Sequence, residues 1–71
     1  MRILIKESDG TLGCMVVTYI SYDTETKELW FAEITDIWKV KVSKESAMNM
    51  IRDLFRYGYL DASYLIWELE E

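Results

Sequence analysis

The feature that most constrains the fold is that this chain lacks the residues for an internal disulfide or a typical structural metal site. The 71 residues include one cysteine, Cys14, and no histidine. An internal disulfide is therefore impossible, and a structural metal site is disfavoured. A domain this small buries only about 60% of its unfolded surface. We expect a single domain over residues 1–71 that is stabilised by dense packing of its aromatic residues or by a second subunit.

The composition indicates a folded domain with no membrane association. Apolar residues make up 51% of the chain and charged residues 30%, which is outside the range of disordered segments. No apolar stretch approaches the roughly 18 residues of a membrane span. The apolar N-terminal segment ends at Lys6, too early for the apolar region of a signal peptide. These features predict a cytoplasmic protein.

The charge is negative and unevenly distributed. The chain carries 13 acidic and 8 basic residues, a net charge of −5, with acidic residues concentrated in the segments 23–36 and 68–71. A net acidic domain repels phosphate backbones, so nucleic-acid binding is disfavoured. The acidic segments lack the glycine-centred loop of an EF-hand, and we expect no bound metal.

A β-hairpin opens the chain. Residues 2–7 and 13–22 have strand composition, and Asp9-Gly10 between them is a signal for a two-residue type I′ turn. That turn would pair Ile5 with Cys14 and Ile3 with Val16. It predicts one face with Ile3, Ile5, Cys14, Val16, Ile20 and Tyr22, and the opposite face with Leu4, Met15, Val17 and Tyr19.

The segment 28–42 contains no glycine or proline and reads as further β-structure. Its large apolar residues fall mainly on even positions: Trp30, Ala32, Ile34, Trp38, Val40 and Val42. A two-residue hairpin at Thr35-Asp36 would turn Ile37 and the lysines after it toward the interior. We therefore predict one long strand that bends or bulges near Asp36, with two strands and a three-residue turn as the alternative.

One helix follows. Ser43 is a suitable N-cap, Gly58 suits the position after the last turn, and the helix is predicted over 44–57. Its apolar stripe is Ala47, Met48, Ile51, Leu54 and Phe55. Residues 63–69 then alternate as a last strand. The order β-β-β-α-β predicts an α+β fold in two layers, a mostly antiparallel sheet of four or five strands with one helix on one face.

Both faces of the predicted sheet carry large apolar residues, but one helix covers only one face. Exposed apolar surface on this scale indicates a partner, and the alternative is a bent sheet that curls over itself. Arg52 and Arg56 lie on the exposed helix face, where they would suit an acidic partner. The predicted interaction surface consists of Ile3, Ile5, Val16, Ile20, Tyr22, Leu29, Phe31, Ile37, Arg52 and Arg56.

No residue pattern indicates catalysis. Cys14 is the only soft nucleophile, and no histidine is present to activate it. We therefore expect no enzyme, no catalytic residue and no cofactor. The favoured hypothesis is a small non-enzymatic regulatory module that forms a homodimer or docks onto a partner protein. Two alternatives remain: an acidic inhibitor that mimics nucleic acid, which requires both acidic segments on one continuous surface, and a weak nucleic-acid-binding module whose aromatics stack on bases.

Overall fold

A computed structural model describes residues 1–70 and has an α+β fold, which confirms the predicted class. Seven strands and one helix follow one another as β1 (Arg2–Lys6), β2 (Leu12–Val16), β3 (Tyr19–Asp23), β4 (Glu28–Ala32), β5 (Ile37–Lys41), α1 (Lys44–Tyr57), β6 (Tyr59–Ile66) and β7 (Glu68–Glu70).

The strands form two sheets in place of the single sheet expected from the sequence. Sheet A has the order β2-β1-β6, with β6 parallel to β1, and sheet B has the antiparallel order β3-β4-β5-β7. The chain passes directly from sheet A to sheet B twice, between β2 and β3 and between β6 and β7. The two sheets are joined at both sides by these crossings and together enclose the core. This arrangement corresponds to the predicted alternative of a sheet that curls over itself.

The first hairpin has a three-residue loop. Glu7 N–H donates to Thr11 O (2.8 Å), and Gly10 N–H donates to Glu7 O (2.9 Å). Gly10 has φ +89°, a left-handed conformation that glycine adopts without strain. The predicted two-residue turn is therefore wrong by one residue of register.

That one residue reverses which side chains of β2 face the core, because side chains alternate along a strand. Ile3 is paired with Met15, and Leu4 with Cys14. Val16, predicted to share a face with Ile3, is instead exposed on the outside of sheet A.

The predicted second strand is divided at Val17 and Thr18. Val17 is buried between β2 and β3. The backbone N–H and the hydroxyl of Thr18 both donate to Ala32 O, at 2.8 and 3.0 Å. The chain therefore changes sheets here, and its two halves pair with different neighbours.

The segment 28–42 forms two strands, so the favoured prediction of one long strand is wrong and the alternative of a split near Asp36 is confirmed. Glu33 N–H donates to Asp36 O (2.9 Å) across the two-residue loop Ile34-Thr35. This loop pairs Phe31 with Trp38, which places odd positions of β4 on the same face as even positions of β5. The lysines of β5 therefore remain on the outside, contrary to the argument against a two-residue hairpin.

The helix has the predicted bounds. The Ser43 hydroxyl accepts from Ser46 N–H (3.2 Å), and Gly58 ends the helix in the left-handed region at φ +71°. Its buried face is rotated from the predicted stripe: Ala47, Met50 and Leu54 are buried, whereas Met48 and Phe55 are exposed. Within the described part of the chain, no helix is long and apolar enough to cross a bilayer.

Helix α1 packs against β6 and β3, one strand from each sheet. Among residues 1–70, every buried residue between these elements is apolar. The buried core consists of Ile3, Ile5, Val17, Leu29, Phe31, Trp38, Val40, Ala47, Met50, Leu54, Ala62 and Trp67.

The last segment changes sheets as the second one does. The pairing of β6 with β1 is interrupted between Asp61 and Ile66, and the chain then enters β7 through the buried Trp67. The Trp67 indole N–H donates to Ala62 O (3.0 Å), and its ring meets Phe31 edge to face at 5.0 Å. Trp67 therefore links the interrupted part of β6 to the core of sheet B.

We predict that Leu54→Ala lowers the free energy of unfolding by about 2–5 kcal/mol, because Leu54 is fully buried. Phe55→Ala, at a neighbouring position that is 65% exposed, should change it by no more than about 0.5 kcal/mol. Urea denaturation followed by circular dichroism measures both. Equal costs for the two variants would mean that the buried helix face is assigned wrongly.

Trp67→Phe should cost about 1–3 kcal/mol, because it leaves the buried Ala62 carbonyl without its hydrogen-bond donor. Trp30→Phe serves as the control, since Trp30 is only partly buried on the outer face of sheet B. Its effect should be about 0.5 kcal/mol or less. A Trp67→Phe variant as stable as the control would show that this hydrogen bond does not hold the crossing.

Candidate functional site

The outer face of sheet B carries the most distinctive surface of the molecule. Register places Tyr19, Ala32, Ile37 and Glu70 in one row across the strands, Ser21, Trp30, Lys39 and Glu68 in the next, and Asp23, Glu28 and Lys41 in the third. The first row is apolar except for Glu70 on β7, the second has Trp30 at its centre beside polar and charged residues, and the third is charged.

A groove of about 640 Å³ runs along this face. Its floor and one end are aromatic or apolar, and its other end lies at the turn after β3. The side chains that define it are those of Tyr19, Ser21, Trp30, Ala32 and Ile37, with Asp23, Thr24 and Glu25 at the acidic end.

The acidic end is held by a tight turn. Asp23 Oδ1 accepts from the backbone N–H groups of Glu25 (2.9 Å) and Thr26 (3.3 Å). Lys27 N–H donates to Asp23 O (2.8 Å), and Lys27 itself has φ 60°. The turn leaves Glu25 exposed at the mouth of the groove.

Trp30 separates the groove from a network of charges. The Lys39 ammonium lies 5.3 Å from the centre of the Trp30 ring, within the range of a cation–π contact. The same nitrogen is 3.0 Å from Glu70 Oε2 and 3.9 Å from Glu28 Oε2. This face of sheet B therefore already binds one ammonium group, its own.

The carboxylates around Lys39 raise the pKa of its ammonium above the usual 10.5. The hydrogen bond from Lys39 to Glu70 is the largest cause; desolvation opposes it, and the charges of Glu70, Glu28 and Glu68 add to it. A pKa raised in the folded state means that the charged lysine favours folding. This contribution is complete below pH 10.5 and is lost as the pH rises through the raised value.

The two acidic segments meet on this face. Asp23 and Glu28 from the first segment and Glu68 and Glu70 from the second point outward from sheet B. Glu33 is turned away, since its Oε1 accepts from the Trp38 indole N–H at 3.2 Å. Glu71, the last member of the predicted acidic tail, lies outside the described residues.

Four residues of the predicted interaction surface are in the core instead. Ile3, Ile5, Leu29 and Phe31 are fully buried and cannot contact a partner of the folded chain. The reason is that the two sheets bury their inner faces against each other. The change of hairpin register affects their partners on β2 and β5, where Val16 and Ile37 face outward.

The other predicted residues lie on separate parts of the surface. Ile37 lines the groove, and Val16 is on the outside of sheet A. Arg52 and Arg56 are exposed on α1, where Arg52 is 3.6 Å from Asp53 and Arg56 lies over the Tyr57 ring. The two remaining residues, Ile20 and Tyr22, are half-buried against the core. The Tyr22 hydroxyl donates to Val42 O, and Tyr22 also borders the groove.

Sequence reasoning missed the groove residues Tyr19, Ser21, Trp30 and Ala32. The predicted single strand places Trp30 on the same face as Trp38, which is correct only if the strand continues unbroken. The signal that could have found the groove is the lysine pair of β5, Lys39 and Lys41. Keeping both lysines outside through a two-residue loop puts Trp30 outside with them.

Cys14 is exposed on β2. Asp36 ends the β4–β5 loop, where its Oδ2 accepts from the Thr35 hydroxyl at 3.3 Å. Across residues 1–70, no three or more potential metal-ligating side chains are grouped together.

Comparison of the chain with protein-family models, with curated proteins and with solved structures finds no match.

We predict that Glu70→Gln lowers the pKa of the Lys39 ammonium toward 10.5, because Glu70 supplies the largest part of the upward shift. An NMR titration of the Lys39 side chain measures it. Glu45→Gln, on an exposed turn of α1, is the control and should leave the Lys39 titration unchanged. An unaltered curve in Glu70→Gln would contradict the ion pair.

Proposed function

We propose that this chain is a non-enzymatic interaction module that binds a cationic segment of a partner protein in the groove on the outer face of sheet B. The observation that carries the proposal is the combination of an aromatic groove with carboxylates at its end and along its side. Each feature suits a lysine or arginine side chain, through cation–π contact and through charge-assisted hydrogen bonds.

The contact between Lys39 and Trp30 supports this choice of ligand. Lys39 does not line the groove, so part of Trp30 remains available to a second cation. The carboxylates of Asp23 and Glu25 make no ion pair within 4.0 Å in the described part of the chain. A bound cation at that end would therefore not have to displace an internal one.

The dimensions of the groove define the segment that would fit. The apolar row at Tyr19 and the acidic row at Asp23 are four residues apart along β3, or about 13 Å at about 3.3 Å per residue. An extended peptide with an apolar side chain about four residues from a lysine or arginine spans this distance. Apolar contact would anchor one end, and charge would orient the other.

A second function is favoured by a separate observation, namely that both acidic segments lie on one sheet face. A surface of this kind could occupy the basic site of a nucleic-acid-binding protein as a mimic. Mimicry depends on the carboxylates alone, whereas the groove proposal also requires the aromatic residues. The contribution of Tyr19 to binding therefore separates the two functions.

The test is an NMR titration of ¹⁵N-labelled protein with a synthetic peptide in which one leucine and one arginine lie four residues apart in an otherwise polar, uncharged sequence. A peptide in which glutamate replaces arginine is the control ligand. We expect saturable shifts at Tyr19, Ser21 and the Trp30 indole N–H with the basic peptide only. Shifts confined to α1 or sheet A, or no shifts, would refute the groove as a binding site.

Tyr19→Ser should weaken binding of the basic peptide by about tenfold, the loss of about 1.4 kcal/mol of aromatic contact. Tyr64→Ser is the matched control: Tyr64 is 71% exposed and Tyr19 is 65% exposed, but Tyr64 is not in the groove. Glu25→Gln should also weaken binding. If Glu25→Gln acts and Tyr19→Ser does not, binding is purely electrostatic, and mimicry replaces the groove proposal.

A further inference from the structure

Strand β2 is an edge with unpaired backbone groups. It has one neighbour, β1, in sheet A. The bonds Glu7 N–H to Thr11 O and Val17 N–H to Met1 O mark the hydrogen-bonded pairs of this hairpin. Because such pairs alternate, Gly13 and Met15 bond to β1. The N–H and C=O groups of Leu12, Cys14 and Val16 face away from it, and within residues 1–70 they have no backbone partner.

Each of the other three edge strands carries charged residues or contacts α1, whereas β2 does neither to a comparable extent. Strand β7 carries Glu68 and Glu70, β6 carries Asp61 and an interruption of its pairing, and α1 packs on both β6 and β3. Charges, bulges and covering helices are the means by which proteins block unwanted strand pairing. The sequence of β2, LGCMV, contains no charge and no proline.

We propose that β2 pairs with β2 of a second copy of this chain, antiparallel and across a two-fold axis at Cys14. This surface lies on sheet A, away from the groove, and the inference does not depend on the proposed function.

The free groups of β2 suit this occupant because they are self-complementary. An axis at Cys14 places Cys14 opposite Cys14 of the second copy and Leu12 opposite Val16. These are the residues with free backbone groups, so the pairing forms about six hydrogen bonds. A two-fold contact uses the same residues on both sides, and this register is the one that pairs the most of them.

The side chains agree with that register. On the outer face, Leu12 and Val16 are 56% and 52% exposed, and the pairing brings them together. On the inner face, Gly13 meets Met15 of the second copy. Within one chain the Met15 methyl group already lies over Gly13, 2.8 Å from where a Cβ would be. Small and large side chains therefore alternate across the interface.

The first measurement is sedimentation equilibrium over a range of protein concentrations, with a mass that rises from 8.5 kDa toward twice that value as the expected result. A mixture of ¹³C-labelled and unlabelled protein then reports the register. Gly13 and Met15 form non-hydrogen-bonded pairs across the axis, in which Cα atoms are about 4.5 Å apart. We expect an intermolecular NOE between their Hα protons. A species of 8.5 kDa at all concentrations overturns the proposal, as does a dimer without this NOE.

Charge variants test the axis itself. Cys14→Lys should weaken self-association by about tenfold or more, because like charges directly opposite each other are destabilising. An equimolar mixture of Cys14→Lys and Cys14→Glu should restore it. The control pair Ile66→Lys and Ile66→Glu changes a residue that is 83% exposed but lies on β6, and it should leave association unchanged. Failure of the mixed Cys14 variants to associate would refute an axis at this residue.

Discussion

The chain crosses between its two sheets at Val17 and at Trp67, and both side chains are buried there. These crossings solve the problem set by a small domain with apolar residues on both sides of its strands. One helix can cover only part of that surface, so the sheets bury their inner faces against each other. Trp67 contributes most visibly, since it contacts Phe31 of sheet B and donates to the backbone of β6.

The way in which the two sheets enclose the core also determines which strands lie at sheet edges with unpaired backbone groups. Helix α1 contacts β6 and β3, the edge strands of the two sheets that lie near it. Charged residues protect the third at β7, and the uncharged β2 is left as the fourth. In a chain without a disulfide, pairing of this edge would add stability of the kind that small domains otherwise obtain from cross-links.

The two outer faces differ in charge as well as in position. Sheet B presents carboxylates around Trp30 and Lys39, whereas the central strand of sheet A presents Arg2 and Lys6. A groove for a cationic segment on one face and strand pairing at the edge of the other would not compete for the same residues. A dimer through β2 would display two such grooves, which would favour a partner with repeated basic segments.

Local signals in the sequence determined the helix from Lys44 to Tyr57, its caps at Ser43 and Gly58, and the α+β class. Each of these depends on residues within a few positions of one another. Only the tertiary structure decided the registers of the two hairpins, because a loop one residue longer or shorter exchanges every inward side chain for an outward one. The registers turn Val16 outward and place Trp30 beside Lys39 on the outer face of sheet B. The packing of one sheet on the other buries Ile3, Ile5, Leu29 and Phe31, which were predicted to lie on an interaction surface. The crossings at Val17 and Trp67 likewise rest on contacts between segments far apart in the chain, and no local pattern specifies them.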